Sequence, residues 1–171
     1  MGTFGGVCTP KRFLTAVKQT SSAMQLTLSP LNPNTRETYE DEYREGGLYD
    51  QQQGSRQTQL FARYFHRQFT VPLTGNFTVL DMGCALGDAL LLWGRKYPAA
   101  QLSGCDVAPS AIRRAEAQFG QLARFFVGGF EELEGRYDVI YCSNVLEHFE
   151  QYPDIAVHLL RHCRILYIMT P

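Results

Sequence analysis

The stretch FTVLDMGCALGD, residues 77–88, sets most of what this chain can fold into. Its first half, Phe77 to Met82, is a run of β-branched, aromatic and aliphatic residues that suits a buried, pleated strand. Gly83 and Gly87 then let the backbone turn sharply and leave no Cβ in the way of a close approach. Asp88 stands at a helix N-cap or first-turn position, Ala89, Leu90, Trp93 and Tyr97 follow at helical spacing, and Pro98 stops the helix. Strand, glycine turn and helix make the first half of a doubly wound α/β unit. Such units bind ligands at the carboxyl ends of their strands.

The chemistry of the turn narrows the ligand. A dinucleotide loop has the form G-x-G-x-x-G, whereas this one reads Gly83-x-Ala85-x-x-Asp88 and fails at two of three positions. A pyrophosphate also wants bare amides, yet Asp81 and Asp88 bracket the loop. Two carboxylates repel a phosphate pair and attract an ammonium or a sulfonium. A cationic, phosphate-free nucleoside derivative such as S-adenosylmethionine satisfies that charge pattern. A nicotinamide-dependent oxidoreductase is the competing assignment, and the loop charge argues against it.

The octet DMGCALGD at 81–88 resembles the first motif of the class I S-adenosylmethionine-dependent methyltransferases, small-molecule branch, with Ala85 in place of the middle glycine. The resemblance extends over roughly residues 77–171. It implies a Rossmann-like doubly wound α/β sheet with strands in the order 3-2-1-4-5, S-adenosyl-L-methionine as cofactor and a small-molecule methyl acceptor. It also implies a site: Asp81 acting through the loop and the donor's ammonium, Gly83, Cys84, Ala85 and Gly87 by backbone approach, and Asp106 with Val107 at the ribose. Gly129 and Phe130 fall near the adenine, Asn144 near the methionine moiety, and Tyr43 in a lead-in that folds over the cofactor. The family's sheet has two further strands, an antiparallel hairpin that follows the fifth. They are missing here, so either the chain is truncated or a partner surface covers the fifth-strand edge.

Later segments fall into step with this reading. Gln101 to Asp106 is a short second strand ending in an acid 19 positions beyond Gly87, the spacing at which a carboxylate meets a ribose diol; capping the next helix is a compatible role. Pro109 suits that helix's first turn, Ile112, Ala115 and Phe119 its inner face, and Arg113, Arg114 and Glu116 a solvated outer face. Ala123 to Val127 is the third strand. In the family an Asp often follows the glycine after it and accepts from the adenine amine; Gly129 stands there instead, with Glu131 or Glu132 as substitutes. Tyr137 to Cys142 is the fourth strand and runs into Ser143-Asn144-Val145-Leu146-Glu147-His148-Phe149. His148 is the histidine placed to act as a catalytic base on a substrate hydroxyl, the alternative being a packing role in its short helix. His158 and His162 share a helix face but lack a third ligand, so no metal site is expected. Arg164 to Met169 is the fifth strand.

Upstream, the chain divides into a partly ordered N-terminal extension (1–36), a helical lead-in (37–75) and the donor-binding core (76–171). Thr35 or Thr38 caps a short helix over 36–45, and Gly54-Ser55 starts another over about 56–69 whose inner side carries Leu60, Phe61, Tyr64, Phe65 and Phe69. Tyr39, Tyr43 and Tyr49, interleaved with acids, either fold over a ligand or form an exposed helix.

Composition excludes other classes. A formal net charge of −1 gives no polybasic surface for nucleic acid, and no apolar run has the length of a membrane span. Five cysteines without a C-x-x-C pair point to a reducing, cytoplasmic setting, with Cys84, Cys105 and Cys142 as small buried residues. A non-catalytic S-adenosylmethionine-binding module is the remaining alternative to an enzyme.

Overall fold

The computed structural model describes residues 34–170. The extension up to residue 33 lies outside the described residues. Three helices lead in: α1 (Arg36–Tyr43), α2 (Leu48–Gln51) and α3 (Gly54–Gln68). The core then alternates as β1 (Thr78–Met82), α4 (Asp88–Lys96), β2 (Gln101–Asp106), α5 (Pro109–Phe119), β3 (Arg124–Val127) and β4 (Tyr137–Ser143). A 3-10 turn (Leu146–His148), α6 (Tyr152–Arg161) and β5 (Cys163–Met169) complete it. All five strands are parallel and lie in the order β3-β2-β1-β4-β5. The expected order is therefore the observed one, with β5 at one edge of the described sheet.

Alternation along β1 and β4 gives the sheet two apolar faces. Val79 and Val139 turn to one side, where Ala62 and Phe65 of α3 and Leu90 and Trp93 of α4 meet them; all six are buried. Leu80 and Ile140 turn to the other, against Ile155 and Leu159 of α6. Gly104 in β2 brings α4 flush with the sheet. A Cβ there would come within 2.9 Å of Cys84 Sγ and of Phe125. Asp81 has the parity of Val79 and pairs in register with Tyr141, so a carboxylate and a phenol lie side by side at the C-terminal end of the first face.

Two expectations change. On α3, Leu60 and Tyr64 are 66% and 57% exposed, and the sheet-facing positions are Ala62 and Phe65. Five apolar side chains span more of the helix than one contact stripe takes, and the i, i+4 pair is the one turned out. Arg113 and Glu116 are exposed as expected, but Arg114 is half-buried, and both arginines fasten the lead-in. Arg114 donates to the Tyr43 carbonyl (2.9 Å) and pairs with Asp50 (2.8 Å), while Arg113 meets Glu40 at 3.2 Å. Glu40 in turn accepts from the Ser110 amide (2.8 Å), one of the N–H groups left without a helical partner at the start of α5. Thr35 caps α1 as expected, accepting from Thr38 N.

Candidate active site

Where β1 ends, the chain turns through three left-handed residues, Gly83 (φ 74°), Ala85 (φ 49°) and Gly87 (φ 81°). A side chain at Gly83 would collide with Val145, 2.5 Å away. Ala85 holds a conformation that favours glycine, and it is fixed there by its amide donating to Asp106 Oδ2 (3.0 Å). The other oxygen of Asp106 accepts from Ala108 N (3.0 Å). Asp106 thus clamps the glycine loop to the entry of α5. Burial lifts its pKa to about 6, the amides of Ala108, Ala85 and Val107 opposing.

Above this loop lies a cavity of about 480 Å³, within the range of small-molecule sites. The core supplies Asp81, Gly83, Cys84, Ala85, Asp106 and Val107; the segment after β3 adds Gly129 and Phe130, and that after β4 adds Asn144, Glu147 and His148. The lead-in supplies Tyr39, Glu42, Tyr43, Tyr49 and Thr58 from the opposite side. Sequence reasoning therefore converges on one cavity for every site residue except Gly87, which does not line it. The bare Cα of Gly87 makes room for Phe125, 2.9 Å from where a Cβ would stand. Tyr49 lines the cavity with Tyr39 and Tyr43, the first of the two readings open for these tyrosines, while Tyr141 and Phe149 line it without having been singled out; Tyr141 comes there through its register with Asp81.

Electrostatics give the cavity its character. Four carboxylates line it (Glu42, Asp81, Asp106 and Glu147), and no Lys or Arg does so among the described residues. Asp81 is 3% exposed, one of its oxygens has no partner, and burial, with Asp106 adding to it, pushes its pKa to about 8. The Tyr141 hydroxyl and the Asn144 side-chain oxygen are likewise buried without partners. Burial also raises Tyr141, with nearby Ser143 opposing. An unpartnered buried carboxylate is costly, and a cation removes that cost.

Across the mouth, the Tyr39 hydroxyl donates to Asn34 Oδ1 (2.8 Å) and the Asn34 amide donates to the His148 carbonyl, tying α1 to the 3-10 turn. His148 itself is exposed. Below Phe130, the Gly129 amide donates to Glu132, so Glu132 rather than Glu131 engages this loop. His158 and His162 are half-buried; His162 Nδ1 bonds the Gly135 carbonyl (2.8 Å), and no metal-ligating cluster occurs among the described residues.

A family model described as a methyltransferase domain matches residues 49–171. The chain belongs to that methyltransferase-domain family. Among curated relatives, this domain is 27% identical over 107 residues to the trans-aconitate 2-methyltransferase of Deinococcus radiodurans, covering 61% of the chain and 42% of that protein. It is 32% identical over 117 residues to the malonyl-[acyl-carrier protein] O-methyltransferase of Herminiimonas arsenicoxydans, covering 65% and 43%. The chain thus spans about two fifths of the length of these relatives. In fold it is similar to the magnesium protoporphyrin IX methyltransferase of Synechocystis, solved with bound S-adenosylmethionine (TM-score 0.53, 18% identity, 66% of this chain and 57% of that one). No described helix is long and apolar enough to cross a membrane.

Proposed function

We propose that the cavity binds S-adenosylmethionine and that the chain directs its methyl group to an oxygen, nitrogen or carbon nucleophile of a small molecule. The observation that carries this reading is the Asp81 carboxylate, buried and half-unpartnered in a cavity that, among the described residues, holds acids and no Lys or Arg. A ligand ammonium supplies the missing partner and lets Asp81 ionise at neutral pH. A pyrophosphate in the same place would meet only repulsion, which disfavours a nicotinamide dinucleotide. When bound, the sulfonium supplies an already activated methyl group, so the protein's task is to hold, orient and exclude water.

Each lining residue has a part in that task. Asp81 takes the ammonium, with the unpartnered Asn144 oxygen beside the methionine moiety. Gly83, Cys84 and Ala85 offer a side-chain-poor wall, and Asp106 accepts from a ribose hydroxyl. Val107 and Phe130 flank the base, and bare Gly129 leaves its edge open. Tyr43 roofs the cavity, and His148 accepts the proton of an incoming hydroxyl or amine at the mouth. On this reading residues 37–75 are a cover and 76–171 the donor-binding core. The names of the curated relatives favour a small or carrier-borne acceptor. The four unpaired thiols of the described residues, Cys84, Cys105, Cys142 and Cys163, suit a cytoplasmic setting.

Calorimetric titration with S-adenosylmethionine, S-adenosylhomocysteine and NADH tests the proposal. Heat from the first two and none from NADH is expected, and silence from both adenosyl compounds sinks it. Release of labelled methyl over a panel of metabolites then separates an enzyme from a module that binds the donor without turnover.

A further inference from the structure

We infer that the mouth of the cavity takes an acceptor carrying a protonated amine, held between Glu42 of α1 and Glu147 of the 3-10 turn. This rests on the donor reading above, which employs Asp81 and Asp106 and leaves these two carboxylates unused. Both line the cavity, Glu42 from the lead-in and Glu147 from the segment after β4. Neither makes an ion pair or hydrogen bond among the described residues, whereas Glu40, Asp50, Glu132 and Asp138 all meet arginines. Their fields converge on one group. The Tyr39 phenol is pushed up to about 12 by burial and then by Glu42, Asp106 and Glu147 together.

Tyr39 also contributes an aromatic surface at the mouth. Phe149, edge-on to Phe130 at 5.2 Å, contributes another. Carboxylates beside aromatic faces form a setting that favours an organic cation. A second observation is independent of the acids: Tyr141 is 1% exposed and lines the same cavity, and its hydroxyl has no partner. A polar ligand completes that hydroxyl's bonding. With no Lys or Arg lining the site among the described residues, a carboxylate-bearing acceptor finds no counter-charge there, and an amine finds two.

The test uses three probes of one shape, 2-phenylethylamine, 2-phenylethanol and 3-phenylpropionate, titrated into the chain saturated with S-adenosylhomocysteine. The amine should bind about tenfold more tightly than the acid, the alcohol lying between, and the gap should narrow as salt rises. In the E42Q/E147Q double variant, shown to be folded by its thermal transition, the gap should fall to about twofold. Equal binding of amine and acid overturns the inference, as does a preference that survives in the double variant. A double variant that weakens S-adenosylmethionine against S-adenosylhomocysteine, with the amine preference intact, assigns both acids to the donor's sulfonium instead. If S-adenosylhomocysteine gives no heat, the donor reading fails separately, and the same three probes on the unliganded chain still decide the charge preference of the mouth.

Discussion

The sheet and the lead-in close on the same cavity, yet they are held by different forces. Around β1 and β4, Leu80, Leu90, Trp93, Val139 and Ile140 are wholly buried, and apolar area removed from water does the stabilising. In α1 no residue is buried at all. Its attachment is polar: Glu40 on the first turn of α5, Arg113 on Glu40, Arg114 on the Tyr43 carbonyl and, through Asp50, on α2. Only the tyrosines give it an apolar side, Tyr43 meeting Tyr49 edge-on at 5.0 Å. Half of the site is therefore rigid on the scale of global unfolding, and the other half is fastened by contacts that salt and single substitutions reach easily.

Substitutions that act on one half alone sharpen this contrast, and the largest effect lies in the core. Leu90→Ala should cost about 2–5 kcal/mol, a large part of a typical domain's stability, and lower the whole urea transition. Next comes the floor of the cavity, where stability and binding should move in opposite directions. Asp81→Asn removes a buried charge and should raise the melting temperature of the unliganded protein at pH 8 by about 5 °C. It should also weaken S-adenosylhomocysteine by about 10- to 100-fold, the range for a lost hydrogen bond to a charged group.

The pH dependence has the same origin. The Asp81 pKa is raised on folding, to about 8, so the stability it contributes is complete below its unfolded value near 4 and is lost as pH rises toward 8. Asp106, raised to about 6, acts in the same sense at lower pH. His66, depressed to about 4 by burial and then by Lys96, acts in the opposite sense between about pH 4 and 6.5. The interval from about 6.5 to 8 therefore belongs mainly to Asp81. There, unliganded stability should fall with pH while ligand affinity climbs, and both slopes should flatten in Asp81→Asn. Thermal melts and titrations across that interval check them together.

In the lead-in the effects should be smaller and local. Arg114→Ala should cost about 1 kcal/mol and raise amide exchange across residues 36–51 while leaving the strands protected. Its cost should shrink further in high salt. Smallest of all, Thr35→Ala should remove the α1 N-cap for about 0.5–1 kcal/mol, seen as fraying of that helix alone. If Arg114→Ala instead lowered the global transition as far as Leu90→Ala does, the division between the two halves would be wrong.

Strand period, glycine turn and terminal acids are local signals, which is why the strands and the Asp81–Asp106 floor were legible before any coordinates; the order of the strands in the sheet followed from the family resemblance alone. The fastening of the lead-in was not. Its partners lie 64–73 residues apart, and nothing in the helical spacing of Arg113 and Arg114 distinguishes an anchoring face from a solvated one. Tyr141 was hidden for a related reason: within an apolar strand a tyrosine reads as core, and only pairing with β1 brings its hydroxyl to the cavity. Gly87 erred the other way, because a glycine in a binding motif can serve a neighbour's ring as easily as a ligand.

The distance between α1 and α5 along the chain has a consequence for biosynthesis. Residues 36–51 leave the ribosome well before Ser110, Arg113 and Arg114, and at about 5–20 residues per second the interval is several seconds. Throughout that time α1 lacks the α5 groups that anchor it, while Tyr49 already has Gly54 and Thr58 beside it. An early-made segment is thus late to settle, and newly made chains pass through a stage in which the floor of the cavity is built and its cover still hangs free.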